Sequence, residues 1–290
     1  MILQQLLNSL QLGSIYALIA LGYTMVYGVL RLINFAHGDV FMVGSYGALF
    51  FSLFFHAPLF IILPITFAAI GLLGVAMERL AYRPLRNAPR VSAVITAMAV
   101  GLFLETITLA VVGPEPKKFP ALIDTTIYIV GPLTTTSVQI SIIIMAIGLM
   151  FITDRFVAKT RTGMAMRALS WDKTCAPLLG INIDKIISIT FFLGAGLASI
   201  AGIFVGLAYP VIDPYMGIIV GWKAFVSAVV GGIGSIKGAV IGGFLLGAVE
   251  IGSTALLPST YKDLVVFGLL LLILLVKPQG LFGIPLQKKV

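Results

Sequence analysis

Five ionisable side chains fall inside stretches that are otherwise apolar enough to lie in a bilayer: His37 and Asp39 in the motif NFAHGD, Glu105, Lys223 and Glu250. Charge at such depth is costly, so these groups are expected to face a bundle interior or a water-filled cavity. Two kinds of chemistry are open to them. They line a polar route for a small solute, or they are interhelical ion pairs and hydrogen bonds, with NFAHGD at a membrane interface. Neither is covalent chemistry. The sequence holds no HExxH and no GxSxG, and its one cysteine, Cys175, excludes an intrachain disulfide. His37 and His56 are separated by a whole apolar stretch, so no metal-ligand spacing is present. The segment GGIGSIKG resembles a phosphate-binding loop, but its lysine is neither preceded by glycine nor followed by Ser or Thr. Any nucleotide that drives this chain must therefore be bound by another subunit.

The longest polar break is residues 154–185, DRFVAKTRTGMAMRALSWDKTCAPLLGINIDK. Arg155, Lys159, Arg161, Arg167, Lys173 and Lys185 stand there against Asp154, Asp172 and Asp184. A basic loop between two apolar spans belongs in the cytoplasm by the positive-inside rule. Met164, Met166, Ala168, Leu169, Trp171, Ala176, Leu178 and Leu179 supply enough apolar surface for short helices, and Gly180 is a natural stop. A solvated topogenic loop and a docking surface for a cytoplasmic partner both fit these residues.

The elements that position these groups are apolar spans. Hydrophobic residues make up 59% of the 290 positions and charged residues 10%, against roughly 25% charged in a soluble domain. Nine segments approach the length of about 20 residues that a spanning helix needs, near 6–30, 39–55, 58–77, 92–112, 138–153, 186–209, 218–233, 238–257 and 264–276. Threading the loops with 78–91, 154–185 and the tail after Lys277 inside puts the N-terminus outside and the C-terminus in the cytoplasm. Only Lys117, Lys118 and Lys262 then lie outside, and Lys223 is left at membrane depth. The net charge of +8 is accounted for by topology, and no basic groove with interleaved aromatics points to nucleic acid. Residues 1–30 carry no charge, so they lack the basic start of a cleaved signal peptide and read as a retained span. The expectation is an all-α, polytopic helical membrane protein of 8–9 transmembrane segments, one transmembrane domain over residues 1–290. The glycine-rich hairpin at 218–257 makes either two crossings or a re-entrant pair.

Small residues mark the packing faces. Gly194, Ala198, Gly202 and Gly206 repeat at a spacing of four, as do Ala239, Gly243 and Gly247, which lets helix backbones approach closely. The segment 113–137, with Pro114, Pro116, Pro120 and Pro132, is expected to be an irregular outer cap.

Several stretches agree, in order, with one family. GSIYALIALGYTMVYGVLRLI followed by NFAHGDVFMVGSYGAL, then GMAMRALSWDKTCAPLLGINIDK, GGIGSIKGAVIGGFLLGAVE and the closing LLLLILLVKPQGLFG resemble the membrane permease of bacterial high-affinity branched-chain amino acid ABC importers, the LivH type. The resemblance covers essentially the whole length. It implies a non-enzymatic permease of the bacterial cytoplasmic (inner) membrane, working with a second homologous permease subunit, two cytoplasmic ATPase subunits and an extracytoplasmic solute-binding protein. ATP would be used by the partners, and no cofactor or metal would be bound by this chain.

By the same resemblance the loop at 154–185 holds a coupling helix that seats on an ATPase subunit. The matching positions are Arg167, Ala168, Asp172, Ala176, Leu179, Gly180, Ile181 and Asn182, with Trp171 and Lys173 as nearby contacts. Pro177 departs from the expected pattern, because proline suits a helix's first turn and breaks its interior; the coupling helix ends before it or restarts at it. Asn34, His37, Glu105 and Glu250 are the residues expected near the translocation path. Relatives of the superfamily handle urea, short amides, other amino acids or sugars, which remain alternative cargoes. An ion-coupled secondary transporter with Glu105 and Glu250 as a proton relay is the alternative of another class. Uptake that stops when the proton gradient is dissipated with ATP preserved would mark it.

Overall fold

The computed structural model describes residues 2–86 and 88–283; the lysines near the end of the basic tail, Lys288 and Lys289, lie outside the described residues. Helix α1 spans Ile2–Leu30, α2 His37–Phe55, α3 Leu59–Met77, α4 Arg90–Val112, α5 Ser137–Lys159, α6 Arg161–Trp171, α7 Ile183–Ala208, α8 Met216–Gly231, α9 Ile236–Leu256 and α10 Lys262–Val276. Eight helical stretches among the described residues are long and apolar enough to cross a bilayer, with α3 carried on to Leu85 by a π-helical and a 3-10 turn. The 16-residue α8 falls short of that length. The all-α polytopic expectation holds, and helices suit a medium without water because they satisfy their backbone groups internally.

Helix α1 is the centre of the bundle. Its residues from Gly13 to Val26 are buried, with α7, α8 and α9 packed around it. Helices α4, α5 and α10 instead turn apolar side chains such as Phe103, Val111, Ile144, Phe151, Leu271 and Leu275 outward, the surface that lipid requires. Both small-residue stripes lie at helix crossings. On α9, a Cβ at Gly243 or Gly247 would meet the backbone of Ala17 or Gly13 on α1. On α7, Gly194 faces Gly22 of α1, Gly202 faces Phe41 and Ser45 of α2, and Gly206 faces the Phe119 ring.

The two faces of the bundle are distinguished by their loops. At the start of α1, Gln4 exchanges hydrogen bonds of 2.9 and 3.0 Å with the backbone of Thr134. At its end, Lys173 Nζ donates to the Leu30 carbonyl at 2.6 Å, so α6 lies on the opposite face. The turn between α8 and α9 packs near Gly28, and the chain beyond α10 bonds to the adjoining end of α8 through Leu281 N to Val230 O at 2.9 Å. The start of α1 and the end of α10 therefore lie on opposite faces. The hairpin at 218–257 is a pair of antiparallel arms, the first of them shortened.

The expected irregular cap contains one short β ladder and shares a second with the segment after α7. Strands β1 (Lys117–Lys118) and β4 (Val211–Ile212) pair antiparallel, as do β2 (Ile127–Val130) and β3 (Leu133–Thr136). The β-branched and aromatic run Ile127–Val130 favours extended backbone. Gly131, at φ 59°, makes the tight turn possible.

Candidate functional site

The basic loop folds as an ordered piece on the α6 face. Thr160 caps α6 by accepting from Gly163 N at 3.0 Å. The helix ends at Trp171, and Asp172 Oδ1 accepts from the backbone of Thr174 at 2.7 Å and Cys175 at 3.1 Å, turning the chain. A 3-10 turn then runs over Ala176–Leu179 with Pro177 in its first turn. The proline thus sits where its missing N–H costs nothing, and the helix restarts at it. Gly180 adopts the left-handed conformation (φ 75°) that stops this turn. Asn182 caps α7, accepting from Lys185 N at 3.0 Å.

One side of this loop is bolted to the bundle. Met166, Leu169 and Ala176 are buried, Ala168 is half-buried, and Ile181 packs against the main core. Lys173 holds the end of α1, Arg31 donates to the Ser170 carbonyl at 3.0 Å, and Arg167 donates to the Val157 carbonyl near the end of α5. Arg167 and Lys173 are therefore internal anchors as well as members of the loop. The other side presents Met164, Trp171, Leu178 and Leu179 to the exterior, with Trp171 76% and Leu178 85% exposed. Asp184, just beyond the cap, pairs with Arg83 and Arg86, and Arg86 also pairs with the buried Glu78. The start of α7 is thereby clasped to the turn between α3 and α4.

The interior groups separate into two sets. Arg31 takes a positive φ of 56°, and the chain after it folds back along α1 instead of leaving the bundle. Asn34 holds that return: its Oδ1 accepts from Ala36 N at 3.1 Å and from the Tyr82 hydroxyl. The His37 ring then lies 4.4 Å from the Tyr23 ring, two turns before the end of α1. Helix α2 consequently begins inside the bundle, and α8 begins against it, since Gly217 and Gly221 pack on Gly38. NFAHGD is thus an interior break, not an interfacial loop.

Between these helix starts and α4 lies a cavity of about 210 Å³. Asp39 and Glu105 supply its carboxylates, Tyr23 lies in its wall, and Phe35, Met98, Leu102, Trp222 and Phe225 give it apolar walls. Of the four residues expected near a path, Glu105 lines this cavity, His37 packs on its wall residue Tyr23, and Asn34 does not line it. Glu250 lies elsewhere. It pairs with Lys223 at 2.6 Å and accepts from the Tyr16 hydroxyl at 2.8 Å, which realises the ion-pair alternative. Asp39 was singled out as ionisable but not as a path residue. The aromatic wall carried no sequence signal, because its members come from the 31–36 return and from α8, and apolar residues are ordinary in both.

The family described as branched-chain amino acid transport system / permease component matches residues 5–275. The chain is 43% identical to the high-affinity branched-chain amino acid transport system permease protein LivH of Salmonella typhimurium, over 99% of this chain and 97% of the relative. It is 41% identical to the corresponding permease protein BraD of Pseudomonas aeruginosa, over 99% and 98%. It is 24% identical to the ribose import permease protein RbsC of Haemophilus influenzae, over 92% and 83%. No solved structure matches the chain. With the family profile and full-length relatives above two-fifths identity in agreement, this chain belongs to the family of permease components of branched-chain amino acid transport systems.

Proposed function

We propose that this chain is the permease subunit of an ATP-binding-cassette importer, and that it forms a translocation path for branched-chain amino acids across the bacterial inner membrane. The α6 face is the cytoplasmic one, and α1 begins outside. A second homologous permease, two ATPase subunits docked on the 154–185 loop and an extracytoplasmic solute-binding protein complete the assembly. ATP is consumed by the partners.

The observation that carries this reading is the two-sided loop. Its outer side displays Trp171, Leu178 and Leu179, and its inner side is tied to α1, α5 and α7. Apolar side chains presented from a capped, rigid element are what a docking groove on another protein needs. The ties let a push on that element reach the spans. The chain has no nucleotide site of its own by sequence, so the energy must arrive through such a contact. Nucleotide binding at the ATPases supplies the differential affinity that shifts the permease between its states.

The test is a pair of variants, Trp171→Ala and Leu178→Asp, in the complete importer. Both should lose copurifying ATPase and ATP-driven leucine uptake while inserting in the membrane at normal levels. Undiminished uptake in both would reject the loop as the docking element.

A further inference from the structure

We propose that the cavity between α1, α2, α4 and α8 is a binding subsite for a free α-amino acid, with the ammonium held by Asp39 and Glu105 and the side chain laid on the aromatic wall of Phe35, Trp222 and Phe225. The proposal rests on the reading that the chain passes branched-chain amino acids, and it adds where and by which groups the cargo is held.

Charge singles out this cavity. Glu78 is buried and holds Arg86, and Glu250 is buried and holds Lys223. Asp39 is 9% exposed, yet among the described residues no lysine or arginine pairs with it or with Glu105. A buried carboxylate is costly without a cation, and here the buried Asp39 borders the same cavity as the half-buried Glu105. An ammonium ligand supplies what the chain does not.

Its shape suits the same ligand. Asp39 stands between two glycines: a Cβ at Gly101 would collide with Asp39 Oδ2, and one at Gly217 would sit 3.0 Å from Oδ1. Gly217 also belongs to the first turn of α8, where the helix dipole favours negative charge, although the Met216 and Ile218 N–H groups there already donate to the Asp213 and Tyr215 carbonyls. The ammonium and carboxylate of an α-amino acid are borne on one carbon, so their partners must be neighbours, as Asp39 and the start of α8 are. Beyond them the Phe35, Trp222 and Phe225 rings lie 5.8 to 6.1 Å apart. They offer an aliphatic side chain a wall without fixed charge. At about 210 Å³ the space is below the roughly 300–1,000 Å³ of drug-sized sites and suits one small amino acid.

The experiment uses the complete importer carrying Met98→Cys, a cavity position outside the proposed polar contacts. Modification of that position by methyl methanethiosulfonate is followed by peptide mass spectrometry. L-leucine should slow it, and 4-methylpentanoate, which lacks the ammonium, should not. Adding Asp39→Asn and Glu105→Gln should abolish the protection, and Asp39→Asn alone should lower ATP-driven leucine uptake about tenfold or more with ATPase copurification unchanged. Equal protection by both compounds, protection that survives the double substitution, or undiminished uptake would overturn the subsite while leaving the importer reading standing. Failure of the unsubstituted importer to take up leucine would overturn both.

Discussion

Lys223 Nζ lies 2.6 Å from Glu250 Oε1 inside the bundle and joins α8 to α9, while the Tyr16 hydroxyl donates to the other carboxylate oxygen at 2.8 Å and brings in α1. Asp263, at the start of α10, faces the same ammonium at 2.9 Å. Three helices thus meet on one cation, and α1 joins them through the Glu250 carboxylate. Removing the cation leaves a buried carboxylate uncompensated, so Lys223→Met should destabilise the permease by about 3–5 kcal/mol. Lys223→Met combined with Glu250→Gln should recover most of that, because the amide oxygen still accepts from Tyr16 and the one charge left behind, on Asp263, is half-exposed. Thermally induced aggregation of the purified chain in detergent measures the order. A double variant no better than the single one would show that the pair is not the source of the stability.

The crossing of α2 and α8 rests on bare backbone. A Cβ at Gly38 would collide with the Gly217 carbonyl and lie 2.8 Å from Gly221 Cα, with no flexible side chain there to move aside. Gly38→Ala should therefore cost about 1–3 kcal/mol through overpacking and lower uptake by shifting the start of α8. Gly148 on α5 meets nothing within 4 Å. Gly148→Ala should be neutral or stabilise by up to about 1 kcal/mol through helix propensity. Equal losses in the two variants, read by thermal stability, would contradict the tight crossing.

Much of this architecture could be read from the sequence, for reasons that also explain what could not. Apolar run length locates spans, so the helices containing 92–112 and 186–209 emerge close to their expected bounds. The stop at Gly180 and the cap at Asn182 are local chemistry and appear as such. Pairing is different. Lys223 and Glu250 each announced themselves as charges in apolar surroundings, but their partnership depends on the antiparallel α8–α9 hairpin, and Tyr16 is more than 200 positions away in the chain. The cavity was hidden because Asp39, Glu105 and Trp222 come from three elements that meet only when the chain turns back at Arg31. Opposite charges on the two arms of a glycine hairpin are the one sequence signal that would have found the ion pair in advance.

The clasp between Arg86 and Glu78 predicts an asymmetry among arginines. Glu78 is 1% exposed and, besides pairing with Arg86, accepts from the Ser188 hydroxyl at 2.8 Å. Arg83 reaches the more exposed Asp184 from a half-exposed position. Arg86→Ala strands a buried charge and should cost about 3–5 kcal/mol. Arg83→Ala removes a solvated pair and should cost about 0–1 kcal/mol. Thermal stability of the two purified variants tests the ranking, and comparable losses would mean that solvent already compensates Glu78.

The lone thiol reports which side the loop faces. Cys175 is exposed between the Asp172 turn and the 3-10 turn that begins at Ala176, on the face assigned to the cytoplasm. A membrane-impermeant maleimide should leave it unmodified in intact cells and label it in inside-out vesicles. Glu115→Cys, in the loop on the opposite face, should behave in reverse. Because the thiol lies within the docking stretch, reconstitution with the ATPase subunits should also slow its labelling, whereas the solute-binding protein should not. Labelling of Cys175 from outside intact cells would put the loop beyond the reach of any cytoplasmic ATPase, and the coupling role assigned to Trp171, Leu178 and Leu179 would fall with it.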